Sequence, residues 1–225
     1  MEDIGVSNKK RAKKTSVHLK NKKPQNLKLV EYEITTEPIH DRHYRRLPNH
    51  IKDKIDDLYE IVQKKFDQTV ISDLEALIKK YPNVPLLYNY LSMAYARSGD
   101  QEKYQKTIKK NYQLNPDYLF ARLNYAELCA QQGNYEKIAE IFDHKFDLKL
   151  LYPKRKKFHL SEVANFMGFI GIYFLKTGKK ELAEQYYKIL AEIAHAYDYP
   201  MTQEFRKQLY PGFFRRIFHK MIGNY

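Results

Sequence analysis

The sequence predicts an all-α fold, a solenoid of about three to four stacked helix-turn-helix repeats. Three observations carry this expectation. Pro82 and Pro116 lie 34 residues apart, and so do Gly99 and Gly133. A fixed period of that size marks a stacked repeat. Apolar residues also recur at helical spacing, as at Ile51, Ile55, Leu58, Ile61 and Val62. Hydrophobic residues make up 43% and aromatics 14% of the 225 residues, enough to build a core.

The net charge of +13 is unevenly placed. Residues 1–48 carry +6, residues 49–150 are neutral and residues 151–225 carry +7. The first thirty residues hold nine basic side chains against Glu2 and Asp3, with no aromatic and no periodicity. Such a stretch buries too little apolar area to offset its ordering entropy. Residues 1–48 therefore read as a basic, largely disordered arm, in which 30–34 alternates and could be extended or lie on the helical body. The cluster Lys9, Lys10, Arg11, Lys13 and Lys14 suits an anionic partner or a nuclear-localisation signal, or only solubilises the chain.

The repeat body is expected over 49–200. Residues 51–65 and 69–81 form a first, degenerate helix pair that Pro82 closes. The next pair runs from Pro85 to Pro116, turning at Gly99 with Asp100 as the cap of the second helix. A third pair covers 119–150 and turns at Gly133 with Asn134 as cap. The turn glycines adopt positive φ at little cost, and the Asx side chains satisfy free N–H groups of the following helix. Gly178 turns the last pair, 45 residues after Gly133 rather than 34. The eleven extra residues fall near 148–158 and include the basic run Lys154, Arg155, Lys156 and Lys157, read as a connector or an anion site.

Residues 51–195 resemble the tetratricopeptide repeat. Tyr88, Leu91, Ser92, Tyr95, Gly99 and Pro116 match the family's slots in one unit. Ala126, Gly133 and Phe142 match in the next, and Gly171, Phe174, Gly178, Ala183 and Tyr187 in the last. Tyr104, Arg122, Cys129 and Leu150 depart from the pattern. The resemblance implies a right-handed superhelix whose first helices line a concave groove that binds peptides or a partner helix. It places Asn89, Met93, Arg97, Phe120, Asn124, Glu127, Gln131 and Lys176 in that groove, with Gly168 and Ile172. The carboxylate-clamp subtype is not matched, because Met93 occupies its first asparagine slot.

Residues 201–225 are expected to close the solenoid. Residues 202–209 form a capping helix. Beyond Pro211 and Gly212, 213–222 form a basic amphipathic helix with Arg215 and Arg216 on its polar side, suited to capping, a partner groove or an anionic membrane.

Several chemistries are absent. The sequence has no P-loop, no G-x-G-x-x-G and no H-E-x-x-H. His40, His43 and His50 read as surface histidines rather than metal ligands. The single cysteine, Cys129, excludes a disulfide framework and fits a small core slot. No secretory signal opens the chain, and its longest apolar run, 166–175, is half of a membrane span. The expectation is a non-enzymatic, intracellular and cytoplasmic scaffold, nuclear if its basic arm directs it there. It has no cofactor, metal or small-molecule substrate, and a protein or peptide is its partner. A nucleic acid or ribosome contacted by the basic segments is the alternative, and an anionic membrane the third.

Overall fold

The structure, a computed structural model, describes residues 32–64 and 67–212. The predicted cations Lys9, Lys10, Arg11, Lys13, Lys14, Arg215 and Arg216, and the amphipathic stretch 213–222, lie outside the described residues.

Those residues are mostly helical. A short strand β1 (Glu33–Thr35) and a single turn α1 (Arg42–Arg45) precede the long helices α2 (Asn49–Lys64) and α3 (Thr69–Lys80). Next come α4 (Pro85–Ser98), α5 (Gln101–Leu114), α6 (Leu119–Gln131) and α7 (Tyr135–Ile141). The turn α8 (Leu148–Leu151) and strand β2 (Lys157–His159) lead into α9 (Leu160–Lys176), α10 (Lys180–Glu192) and α11 (Pro200–Leu209). No helix among them is long and apolar enough to cross a membrane.

The expected punctuation is in place. Gly99, Gly133 and Gly178 take φ of +80°, +72° and +77°, a region that costs other residues about 1–2 kcal/mol. Asp100 accepts the Lys103 N–H and Asn134 the Lys137 N–H, each at the start of the following helix. A cap of this kind contributes about 1 kcal/mol. α4 packs on α5, α6 on α7, and α9 on α10, so each turn folds its pair together. The first helix of each pair also touches the first helix of the next, from α2 through α4 and α6 to α9.

The period extends to side chains. The Tyr88 hydroxyl donates to the Pro82 carbonyl at 3.0 Å. Thirty-four residues on, the Arg122 guanidinium donates to the Pro116 carbonyl. Arg122 departs from the repeat pattern in chemistry while keeping this bond, and it adds Ile141 O and the Asp143 carboxylate. Those extra bonds lie where α7 stops after seven residues, with Asp143 and His144 at positive φ.

The apolar interior falls into two clusters. One joins residues 44–95 and includes Ile55, Leu58, Val62, Leu74 and Leu87. The other joins residues 119–209 around Phe142, Phe158, Phe166 and Phe205. Ile61, expected on the buried stripe, is 37% exposed, because the stripe closes on Leu58 and Val62.

Two expectations need correction. Residues 32–48, expected as part of a largely disordered arm, form β1 and α1 and pack on the helical body. β1 pairs in parallel with β2, with Ile34 opposite Phe158. Tyr32 meets the edge of the Phe158 ring at 4.9 Å, while Tyr44 and Leu47 are buried in the first cluster. Residues 32–48 thus strap one cluster to the other. The insertion near 148–158 is likewise not a plain connector, since it forms α8 and β2. Asp147 caps α8 by accepting the N–H groups of Lys149 and Leu150.

α11 covers α9 at its small residues, as a capping helix should. Gly168 faces Met201 rather than an open groove, and Gly171 lies under the Phe205 ring. A Cβ on Gly171 would come within 2.2 Å of that ring. Gly171→Ala is expected to cost about 1–3 kcal/mol by overpacking. Gly99→Ala has open space around its Cβ and pays only for positive φ, about 1 kcal/mol. Urea titration followed by circular dichroism ranks the two, and a milder effect at Gly171 would contradict this packing.

Candidate binding surface

Helical spacing puts Asn89, Met93 and Arg97 on one face of α4, and Phe120, Asn124, Glu127 and Gln131 on one face of α6. The structure divides these residues by what they touch. Asn89 is the hub of an amide cluster between three helices. Its Oδ1 accepts Asn111 Nδ2 from α5 at 3.0 Å and Asn124 Nδ2 from α6 at 3.3 Å. Its own Nδ2 donates to the Tyr118 hydroxyl at 3.4 Å. Asn111 also donates to Pro85 O and accepts from Asn115. Asn89 and Asn124 therefore hold α4, α5 and α6 together rather than standing free in a groove. The reason is α5, which buries only Thr107, Ile108 and Asn111, so the seam it makes with α6 combines these amides with the stacked Tyr112 and Tyr125 rings.

Glu127, one turn from Asn124, turns toward the same seam. Burial raises its carboxyl above the ordinary value, and the Tyr104 phenol of α5 is raised by burial first and then by the Glu127 charge. It has no ion-pair partner among the described residues.

The other predicted residues stay near the surface. Met93 packs half-buried on the first cluster and Phe120 on the second. Arg97 is exposed and donates to Gln63 O of α2 at 2.7 Å. Gln131 and Lys176 are exposed at the ends of α6 and α9.

Sequence reasoning missed an aromatic pair on this face. Tyr59 of α2 and Tyr90 of α4 lie 4.8 Å apart, and Tyr59 is 37% exposed. The Tyr90 phenol is raised by burial first, then by Tyr59, Asp56 and Tyr44. The Tyr199 phenol, before α11, is raised by burial first, then by Asp198 and Tyr59. The available signal was an aromatic one position off the buried stripe of an amphipathic helix. Tyr90, Met93 and Arg97 follow one another at i, i+3 and i+7, so they share a face that Tyr59 extends.

The predicted anion site is mostly committed elsewhere. Arg155 forms a two-pronged pair with Glu162, at 2.9 and 2.7 Å, and lies 4.2 Å over the Phe158 ring. Glu162 accepts the His159 N–H as well and closes the capping box of α9. Lys157 pairs with Glu33 of the strap at 2.7 Å. Lys154 and Lys156 alone of the four are exposed without an ion pair among the described residues. The run reads as four free cations in sequence, but two of them hold the strap and the α9 cap.

Among the described residues no three His, Cys, Asp or Glu side chains gather into a metal site. His40 lies before α1 and stacks on Tyr44 at 4.1 Å, while His43 bonds Arg42. Cys129 is buried, and burial pushes its thiol up, away from the reactive thiolate.

The chain matches no protein-family model and no curated protein.

Glu127 supplies a pH test of the seam. The folded state holds its proton more tightly than the unfolded chain, so stability falls as pH rises through the carboxylate range to the raised value. Glu127→Gln is expected to raise the melting temperature at pH 7. That gain should shrink toward zero near about pH 3.5, below the ordinary glutamate value. Melting curves at both pH values check this, and an equal gain at both would contradict a raised carboxyl.

Proposed function

We propose that the chain is a tetratricopeptide-like repeat scaffold, a right-handed solenoid that holds a protein or peptide segment against the face carrying Tyr59, Tyr90, Met93 and Phe120. The observation that carries the reading is the bond from Tyr88 to Pro82 O and its counterpart from Arg122 to Pro116 O, 34 residues apart. A tertiary contact that recurs at the sequence period supports equivalent units stacked in series. In such an array the first helices of successive pairs share one face. Here that face offers half-exposed aromatics, a methionine and Arg97. Tyrosine and arginine suit binding because they bring large contact area together with hydrogen-bonding groups. Met93 adds a side chain that adapts to irregular shapes.

The nucleic-acid reading has narrower support. Arg42, Arg45 and Arg46 sit on and beside α1, and Lys154 and Lys156 have no acidic partner among the described residues. Arg155 and Lys157, which that reading would also use, are paired with Glu162 and Glu33.

Affinity purification of the full chain at low and high salt, with and without nuclease, separates the two. The scaffold reading expects one protein to stay bound after nuclease and through high salt. Tyr90→Ala combined with Phe120→Ala is expected to lower its recovery at least about tenfold, as for hot-spot aromatics. Recovery that disappears with nuclease, or that survives the double substitution, argues against this face as the partner site.

A further inference from the structure

A second surface lies away from the Tyr59–Tyr90 face. Between α3 and α5 the helices leave a cleft of about 560 Å³. Its floor is α4, through Tyr88, Leu91 and Tyr95, at i, i+3 and i+7. Its first wall is α3, with Glu75, Ile78 and Lys79. Its second wall is α5, with Lys103, Lys106, Thr107 and Lys110, and Leu114 at one end.

The cleft exists because α5 presents lysines where a packed helix would present apolar residues. Long aliphatic stems can cover apolar ground while their charged ends remain in water. Lys110 and Lys103 do this here, with their ammonium groups 5.9 Å and 5.5 Å from the Tyr88 and Tyr95 rings. Leu114 stays 48% exposed.

The polar groups of the floor are already satisfied. The Tyr88 hydroxyl donates to Pro82 O, and the Tyr95 hydroxyl donates to the Glu75 carboxylate. Glu75, the one acid lining the cleft, is thus spent on the floor. Lys103 pairs with Asp100 at 3.3 Å. Lys79, Lys106 and Lys110 have no acidic partner among the described residues. An apolar floor therefore lies under a rim of three unneutralised ammonium groups.

Both the length and the charge of the cleft point to one kind of occupant. Along α5 the wall from Lys103 to Leu114 spans eleven residue steps, about 16 Å at 1.5 Å per residue, or three helical turns. We propose that this cleft docks an acidic amphipathic segment of a partner protein. Its leucine- or phenylalanine-type side chains enter against Ile78, Leu91 and Leu114, and its carboxylates meet Lys79, Lys106 and Lys110. This is helix-in-groove recognition with charge complementarity at the rim. A nucleic-acid backbone would use the lysines but leave the apolar floor without a role. The basic stretch 213–222 of this chain carries the wrong charge for the rim.

The test uses the full chain and fluorescence anisotropy. The probe is a labelled fourteen-residue helical peptide with Leu at i, i+3, i+4 and i+7 and Glu at the flanking positions. One control replaces each Glu by Lys, a second replaces each Leu by Gln, and a third probe is a labelled single-stranded RNA. The acidic leucine peptide is expected to bind, and both peptide controls to bind at least about tenfold more weakly. Lys106→Glu with Lys110→Glu is expected to weaken the acidic peptide by at least about tenfold, while Tyr90→Ala with Phe120→Ala leaves it unchanged. Lys79→Ala with Lys110→Ala, a milder change, should weaken it in the same direction, and circular dichroism confirms that each variant is folded. Failure of the acidic peptide to bind overturns the proposal. So does equal binding of the glutamine control, binding unaffected by both lysine pairs, or a preference for the RNA that those pairs abolish.

Discussion

The Asn89 side-chain carbonyl is the contact on which the joining of the two halves rests. The apolar interior does not run continuously from end to end. One cluster closes within residues 44–95 and the other opens at Leu119. Between them lies α5, which reaches the first cluster with Tyr104 and the second with Tyr112. The helices also meet through amides, with Asn89 accepting from Asn111 and Asn124 and donating to Tyr118. Partly buried amides are costly when unpaired and directional when paired. The Tyr112 and Tyr125 rings, stacked at 4.8 Å, add apolar contact to this seam, and the amides give it direction.

The strap adds a second tie across the same gap. β1 hydrogen-bonds to β2 beside the second cluster, and ten residues later Tyr44 and Leu47 enter the first. Lys157 with Glu33, and the His159 ring with Thr36 O, fix its register. Arg155 lies over Phe158 and grips Glu162, so the basic run and the strap form one structural unit. That arrangement keeps the two clusters in fixed relation although their direct interface is thin.

Local signals were legible and long-range ones were not. Gly99, Gly133 and Gly178 declare their turns because only glycine takes positive φ cheaply, and Asp100 and Asn134 declare the helix starts that follow. The pairs Pro82–Pro116 and Gly99–Gly133 carry the period. Alternation over 30–34 suggests an extended piece, but nothing near Ile34 says that it will pair with Phe158, 124 positions away, because alternation names no partner strand. Asn89 and Asn124 looked like groove residues since the family pattern places those positions on an open face. The polarity of α5, visible in its lysines, glutamines and Asn111, makes them seam residues. Gly168, expected in the groove, faces Met201 for a related reason. A small residue invites close approach, and sequence does not say which helix makes it.

The two kinds of cation in this body do different work, and that decides where its charge is available. Arg97 bonds a backbone carbonyl, Arg122 bonds two carbonyls and the Asp117 and Asp143 carboxylates, and Arg155 grips a carboxylate with both prongs. The planar, weakly hydrated guanidinium suits such fixed, partly buried partners. The ammonium of lysine is compact and strongly hydrated, so it stays at the rim with its stem on apolar ground. Lys79, Lys106, Lys110, Lys154 and Lys156 are of that kind. Counting arginines and lysines together therefore overstates the interactive charge of the helical body and misplaces it. The sequence puts the ordered charge at 154–157, where half is spent on structure. The neutral middle of the chain, which looked electrostatically silent, holds a cleft whose lysines outnumber its one committed acid. Balance over a segment says nothing about balance across a surface, because Asp and Glu on one side of a helix do not neutralise lysines on the other at separations beyond a Debye length of about 8 Å.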